Sequence, residues 1–181
     1  MSATNRALLA ELAAVTRRLG DLRARAAVGP LGAAALTDLQ RAAATVTALV
    51  PRLAAAAAIL DESRGLELEE VRAALATARQ LDLDAPMALV AALDGAGRVR
   101  SAGRAYLAFL RRAPRDAAWG DRLAGLGHLL ERQGELRGAG MCRALAASLP
   151  SGWWRGAIER SNVEHAVGEL VIVWDQLPEA V

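Results

Sequence analysis

Two stretches of this sequence place apolar residues at alternating intervals of four and three, a spacing typical of α-helices that pack along one seam. The first stretch covers residues 3–27 and has the seam Leu8, Leu12, Val15, Leu19, Leu22 and Ala26. The second has the seam Leu39, Ala43, Val46, Val50, Leu53, Ala57 and Leu60. This pattern predicts two long helices near the start of the chain.

The segment VGPLG at 28–32 separates the two seams, and its glycines and proline are typical helix breakers. Because this connection is short, we predict an antiparallel helical hairpin over residues 1–62. Pro51 lies inside the second seam, and the seam keeps its phase across it, which favours a kinked helix over an interrupted one. The heptad hairpin is also a candidate surface for a homodimer.

Composition extends the helical prediction to the whole chain. Aromatic residues make up only 3% of it, whereas strands favour aromatic and β-branched side chains. Alanine, leucine, arginine and glutamate dominate, and these are good helix formers. We therefore expect an all-α protein.

Residues 63–181 are predicted to form a second helical domain, because the acidic segment at 61–70 marks a change in composition. Within it, LDLDAP at 81–86 is expected to end one helix and begin another, with Asp84 as the N-cap and Pro86 in the first turn.

Two helix pairs are predicted next, the first formed by 85–95 and 98–113 and the second by 117–133 and 135–148. A short helix is expected at 151–160. A last helix would then cap the domain with the apolar stripe Val163, Ala166, Val167, Leu170, Val171 and Trp174.

The two predicted pairs share a sequence pattern. Gly97, Arg100, Ala102 and Gly103 recur as Gly134, Arg137, Ala139 and Gly140. Gly97 and Gly134 fall at the predicted turns, where a positive φ angle is useful. Ala102 and Ala139 fall where two helices would cross, and a larger side chain there would push the helix axes apart.

The stretch 84–150 resembles the tetratricopeptide repeats, whose unit is a helix–turn–helix of about 34 residues. The resemblance rests on Leu89, Leu93, Gly97, Ala102, Tyr106 and Pro114 in the first copy and on Leu126, Gly127, Leu130, Gly134 and Ala139 in the second. The spacing between the copies is longer than in the family. Val90 and Arg143 stand where the family has a glycine and a large apolar residue.

The resemblance implies stacked helix–turn–helix pairs whose first helices form a concave face for a peptide. On that face the first pair would present Met87, Ala91 and Asp94, and the second pair Asp121, Ala124, His128 and Glu131. One subclass of the family clamps a terminal carboxylate with Lys, Arg and Asn, which this set lacks. The resemblance therefore implies a groove ligand that is apolar or basic.

Six arginines and no acidic residue lie between Arg98 and Arg115. On one helix, Arg100, Arg104, Arg111 and Arg115 would lie opposite the apolar face as a basic stripe. Such a stripe can bind an acidic peptide, a phosphate backbone or an anionic surface. A solvated face, or pairing with the acidic 61–70 segment, is the alternative. Because no aromatic residues interleave with the arginines, nucleic acid is the less favoured ligand.

Trp153 and Trp154 are adjacent, so both cannot face inward from one helix. One of them is therefore a candidate anchor for a partner protein, since tryptophan is enriched among the residues that dominate interfaces.

No pattern in the sequence predicts catalysis, a cofactor or a metal site. His128 and His165 each precede a glutamate on one helix face, but the seams carry no carboxylates, so surface histidines are expected. Cys142 lies at stripe spacing and is expected to be a small buried thiol. No phosphate-binding loop, nucleophile elbow or dinucleotide fingerprint is present in the sequence.

The sequence also favours a cytoplasmic protein. It has a single cysteine, so no intrachain disulfide can form, and charged residues interrupt the N-terminal apolar stretch that a signal peptide would need. The most apolar segment, 42–60, contains Pro51 and Arg52, which argues against a membrane span. All 22 basic residues are arginine, as expected of a GC-rich bacterial genome, and the net charge is +2.

These patterns together predict a non-enzymatic protein–protein interaction module, an adaptor or scaffold that binds a protein or peptide partner through a preformed helical surface. The alternative is a binder of nucleic acid or of another anionic surface through the stripe at 98–115. A second alternative is a helical enzyme with an unrecognised pocket.

Overall fold

The computed structural model describes residues 2–60, 65–150, 152–156 and 161–169. These ranges contain the helices α1 (Ala3–Val28), α2 (Ala33–Leu60), α3 (Leu66–Gly95), α4 (Val99–Arg112), α5 (Trp119–Arg132) and α6 (Leu136–Ser148). A short 3-10 helix covers Trp153–Arg155, and residues 161–169 are also helical. The described part of the chain has no strand, which confirms the all-α prediction.

The chain divides into two compact units, Met1–Arg98 and Val99–Val181. The first unit consists of α1, α2 and α3, and α3 packs against both of the other helices. The predicted boundary lies between 1–62 and 63–181, whereas the first compact unit includes α3 together with α1 and α2.

The predicted seam of α1 is buried inside the first unit from Leu8 to Leu22, whereas Ala26 is only half-buried. The buried residues of α1 are Asn5, Leu8, Leu12, Val15, Leu19 and Leu22. Glu11 of α1 pairs with Arg52 of α2 at 2.8 Å, and Arg18 pairs with Asp38. The seam residues of α1 therefore contribute to packing within the unit.

Helix α2 continues through Pro51 without a break. Before the proline it buries Leu39, Ala43 and Val46 as predicted, but beyond them it buries Leu49 and Ala56 in place of Val50 and Ala57. The stripe shifts because α2 packs against two helices, α1 and α3, and therefore buries a wider face than a single coiled-coil seam.

Helix α3 corrects the expectation of a helix boundary at 81–86, since it runs unbroken for 30 residues with Pro86 inside it. A proline in a helix interior costs about 3 kcal/mol, because it removes one backbone hydrogen bond. Here the apolar stripe continues on both sides of the proline, with Leu75 and Ala78 before it and Leu89 and Val90 after it buried. Burial of this continuous stripe offsets the lost hydrogen bond.

In the second unit, α5 packs against both α4 and α6. Glycines on α5 allow this close approach. A Cβ atom at Gly127 would lie 3.3 Å from Cys142 Cβ and 3.4 Å from the carbonyl oxygen of Ala139, both on α6. A Cβ atom at Gly125 would overlap the hydroxyl of Tyr106 on α4. Ala139 is fully buried, as predicted for a residue at a helix crossing.

The repeated glycines form the same turn twice. Gly97 and Gly134 have φ angles of 71° and 79°, which confirms the predicted positive values. After α3, the amides of Gly97 and Arg98 donate to Asp94 and Leu93. After α5, the amides of Gly134 and Glu135 donate in the same way, to the carbonyls of Glu131 and Leu130. Both turns are Schellman motifs, so the repeated glycines in the sequence mark two helices that end in the same way.

The first predicted pair is divided between the two units, because 85–95 belongs to α3 and α4 begins the second unit. The predicted short helix at 151–160 is reduced to the three residues Trp153–Arg155 in the described part. In the last predicted helix, Val163 and Val167 are buried as expected, whereas Leu170, Val171 and Trp174 lie outside the described residues.

Candidate functional site

Helix α4 has one buried apolar face and one exposed face. Its buried residues are Ala102, Gly103, Tyr106, Leu107, Phe109 and Leu110, close to the predicted set. The exposed face carries Ser101, Arg104, Ala108 and Arg111, which follow one another at helical spacing. We call these four residues the α4 outer face. The helix contains no acidic residue.

Two of the four predicted stripe arginines are on the α4 outer face, and the other two are not. Arg104 and Arg111 are exposed, whereas Arg100 is half-buried, with Nε and Nη1 shielded from solvent. Arg115 lies beyond the end of α4. A continuous stripe of four exposed arginines is therefore absent from the described surface of α4.

Arg115 instead holds the end of α4. Its guanidinium donates to the carbonyl oxygen of Leu110 at 2.7 Å, in the last turn of the helix, and to that of Ala113 at 3.1 Å, the residue that follows the helix. It also lies 5.0 Å from the ring centroid of Trp119, a cation–π distance. Burial lowers the pKa of Arg115 from its ordinary value. Sequence spacing alone could not separate this capping arginine from its exposed neighbours.

The predicted anchor Trp153 is buried, with only 4% of its surface exposed, and its ring packs 5.2 Å from the ring of Trp119. It therefore belongs to the core of the second unit. The side chain of Trp154, the other candidate, lies outside the described residues.

The predicted groove residues Asp121, His128 and Glu131 all lie exposed on α5. Glu131 forms an ion pair with Arg143 of α6 at 2.9 Å and is 3.9 Å from His128 Nδ1. The structure thus assigns Glu131 a role in joining two helices. Met87, Ala91 and Asp94, the other half of the predicted groove set, belong to the first unit.

Both histidines and the cysteine have the exposure that the sequence predicts. The side chains of His128 and His165 are 75% and 80% exposed. Cys142 is fully buried, and burial raises the pKa of its thiol to about 11. Among the described residues there is no group of three or more His, Cys, Asp and Glu side chains suited to hold a metal ion.

A hollow of about 470 Å³ lies at the end of the first unit. Its walls are the end of α1, the connector at 29–31, Leu39 of α2 and the last two turns of α3. No pattern in the sequence predicts this hollow. The signal that could have found it is the small-residue face Ala88, Ala91, Ala92 and Gly95, because such a face leaves space where larger side chains would fill a core.

Among the described helices, α2 alone is long and apolar enough to be a candidate membrane span, with a mean hydropathy of 1.7 over its most apolar window. The core helix of a soluble protein and a signal sequence pass the same test, and 28% of this window is buried.

Comparison of the chain with protein-family models, with curated proteins and with solved structures gives no match. The function is therefore inferred from the geometry of the chain itself.

Proposed function

We propose that this chain is a non-enzymatic adaptor that binds an acidic segment of a partner protein on the α4 outer face. The observation that carries the proposal is the pair Arg104 and Arg111. Both are exposed on one face of an acid-free helix, and neither has a carboxylate partner among the described residues.

Elsewhere in the chain, several arginines are neutralised by a neighbouring helix. Arg52 pairs with Glu11, and Arg143 pairs with Glu131. Packing of α4 against α5 supplies no such partner to Arg104 or Arg111. Their charges are therefore available to a second molecule, and a carboxylate can accept two parallel hydrogen bonds from each guanidinium.

The spacing of the two arginines defines the partner more closely. Seven residues of α-helix place them about 10 Å apart along the axis. Ser101 and Ala108 are small, so a partner helix can approach the backbone of α4 between the arginines. A helix with acidic residues at seven-residue spacing matches this arrangement.

The arrangement of the helices supports the finer part of the proposal. We propose that α1 and α2 form an antiparallel hairpin and that α5 and α6, joined by the turn at Gly134, form a tetratricopeptide-like pair. Both would act as rigid supports for a preformed surface.

The single buried cysteine is in keeping with a cytoplasmic location.

A binding assay tests the proposal with a labelled helical peptide that carries glutamates at seven-residue spacing. Fluorescence anisotropy should show salt-sensitive binding of the peptide to the wild-type chain. The Arg104→Gln/Arg111→Gln variant should bind the peptide with an affinity about tenfold lower or weaker still. The control is Arg6→Gln/Arg17→Gln, which removes the same charge from exposed positions of α1. Equal loss in both variants would show a net-charge effect and contradict the proposal.

A photo-crosslinking amino acid at Ala108 identifies the partner in cells. Adducts with an acidic protein are expected at Ala108 and not at Ala13, an exposed alanine of α1. If only nucleic acid is captured, and DNA retention at low salt depends on Arg104 and Arg111, the anionic-surface alternative replaces the adaptor.

A further inference from the structure

The hollow at the end of the first unit is open to solvent on one side and has one charged residue among its described wall residues. It lies between the last turn of α1, the connector at 29–31 and the last two turns of α3, and its volume is about 470 Å³. This is within the range of about 300–1,000 Å³ that small-molecule sites occupy. The α4 outer face is not part of it, so the inference is independent of the proposed function.

The α3 wall explains why the space is unfilled. In its first half, α3 buries Leu68, Val71 and Leu75 in the core. In its last two turns it presents Ala88, Ala91, Ala92 and Gly95 to the hollow. These side chains are methyl groups or a hydrogen atom, so they line the cavity with apolar surface and cannot fill it.

Among the described residues that line the hollow, Arg23 is the only charged one. It is half-buried, and among the described residues no carboxylate forms an ion pair or hydrogen bond with it. Arg18, on the same helix, differs because it pairs with Asp38. A guanidinium that is partly withdrawn from water beside an apolar cavity favours an anionic group that can pair with it.

We propose that this hollow binds an amphiphilic monocarboxylate, such as a medium-chain fatty acid. The alkyl chain lies against the alanine wall of α3, and the carboxylate pairs with Arg23 at the rim. Apolar burial supplies the attraction for the chain, and the two-pronged guanidinium fixes the orientation of the head group.

Isothermal titration of the whole chain with dodecanoate, and separately with dodecan-1-ol, tests both parts of the site. Dodecanoate should bind in a 1:1 complex. The Arg23→Gln substitution should lower the affinity for dodecanoate about tenfold or more and leave the affinity for dodecanol unchanged, since it removes only the charge partner of the carboxylate. The matched control is Arg17→Gln, because Arg17 is exposed on the same helix, lies outside this hollow and should change neither affinity.

The Ala88→Leu variant tests the cavity itself, because the larger side chain occupies the space of the ligand. It should abolish binding of both ligands while the far-ultraviolet circular dichroism and the unfolding midpoint show a folded chain. Absence of dodecanoate binding to the wild type overturns the proposal. So does unchanged dodecanoate affinity in Arg23→Gln, or in a folded Ala88→Leu chain.

Discussion

The hydroxyl of Thr47 in α2 donates a hydrogen bond to the carboxylate of Asp82 in α3, with 2.6 Å between Oγ1 and Oδ1. Each residue lies four positions before a proline in its own helix, Pro51 in α2 and Pro86 in α3. Since proline has no N–H, neither Pro51 nor Pro86 can donate to the carbonyl of the residue four positions before it. The hydrogen bond between the helices thus joins them at the two turns that proline weakens.

Replacement of Thr47 by valine keeps the shape of the side chain and removes this donor. We expect the free energy of unfolding to fall by about 1–3 kcal/mol, because a half-buried carboxylate loses a short hydrogen bond. Urea titration of the purified chain measures this change in the free energy of unfolding. The control is Thr45→Val, whose hydroxyl bonds only the Arg41 carbonyl in its own helix and whose loss should cost less than about 0.5 kcal/mol. Equal effects of the two substitutions would show that the bond between the helices contributes nothing specific.

The close approach of α5 and α6 depends on Gly127. In Gly127→Ala, the new methyl group would meet Cys142 Cβ at 3.3 Å and the Ala139 carbonyl oxygen at 3.4 Å. Both atoms are fixed to the α6 backbone, so the helices must separate, and overpacking of this kind typically costs about 1–3 kcal/mol. Gly140→Ala on α6 meets nothing within 4 Å and should instead stabilise the helix by up to about 1 kcal/mol. Thermal unfolding should therefore shift in opposite directions for the two variants, and a shift in the same direction would contradict the crossing geometry.

Glu67 connects the start of α3 to the start of α1. Its Oε1 atom accepts from the Ser2 amide at 2.8 Å and from Asn5 Nδ2 at 2.7 Å. These hydrogen bonds, first the one from Ser2 and then the one from Asn5, lower the pKa of Glu67. Because its folded-state pKa is the lower one, its contribution is present above the ordinary glutamate pKa and is lost as the pH falls through the lowered value.

Stability measured by urea unfolding across acidic pH should therefore decline less steeply in Glu67→Gln than in the wild type. Glu69→Gln serves as the control, because Glu69 is exposed and pairs with Arg72 within the same helix. If the wild type and Glu67→Gln show the same pH dependence, the Glu67 carboxylate does not hold the two helix starts together.

The sequence predicted the helices well where local rules decide, and less well where packing between helices decides. The α1 seam from Leu8 to Leu22 and the positive φ angles of Gly97 and Gly134 follow from spacing and turn chemistry, and the structure confirms them. Local rules predict a helix start at Pro86, because proline is common in the first turn of a helix. Burial of α3 on both sides of Pro86 offsets its local cost, and that burial is visible only in three dimensions.

The candidate site also depends on packing that local sequence rules do not describe. Helical spacing grouped Arg100, Arg104, Arg111 and Arg115, yet α4 ends at Arg112, before the last of them. Which arginine is exposed depends on where the helix stops and on which backbone carbonyls need a donor. The hollow beside Arg23 was missed because residues from three helices and a connector form it, and no single segment of sequence describes such a space.

Arg115 and Arg111 give the sharpest contrast between a structural arginine and an exposed one. Arg115 donates to the Leu110 and Ala113 carbonyls and lies over Trp119, so Arg115→Gln should lower the free energy of unfolding by about 1–3 kcal/mol. Arg111→Gln should change it by less than about 0.5 kcal/mol, since the side chain is exposed. Arg115→Lys keeps the charge but not the fork of donors, and should recover only part of the loss. Urea unfolding followed by tryptophan fluorescence measures the free energy of unfolding of all three variants. Equal stability of the Arg115→Gln and Arg111→Gln variants would show that Arg115 does not stabilise the end of α4.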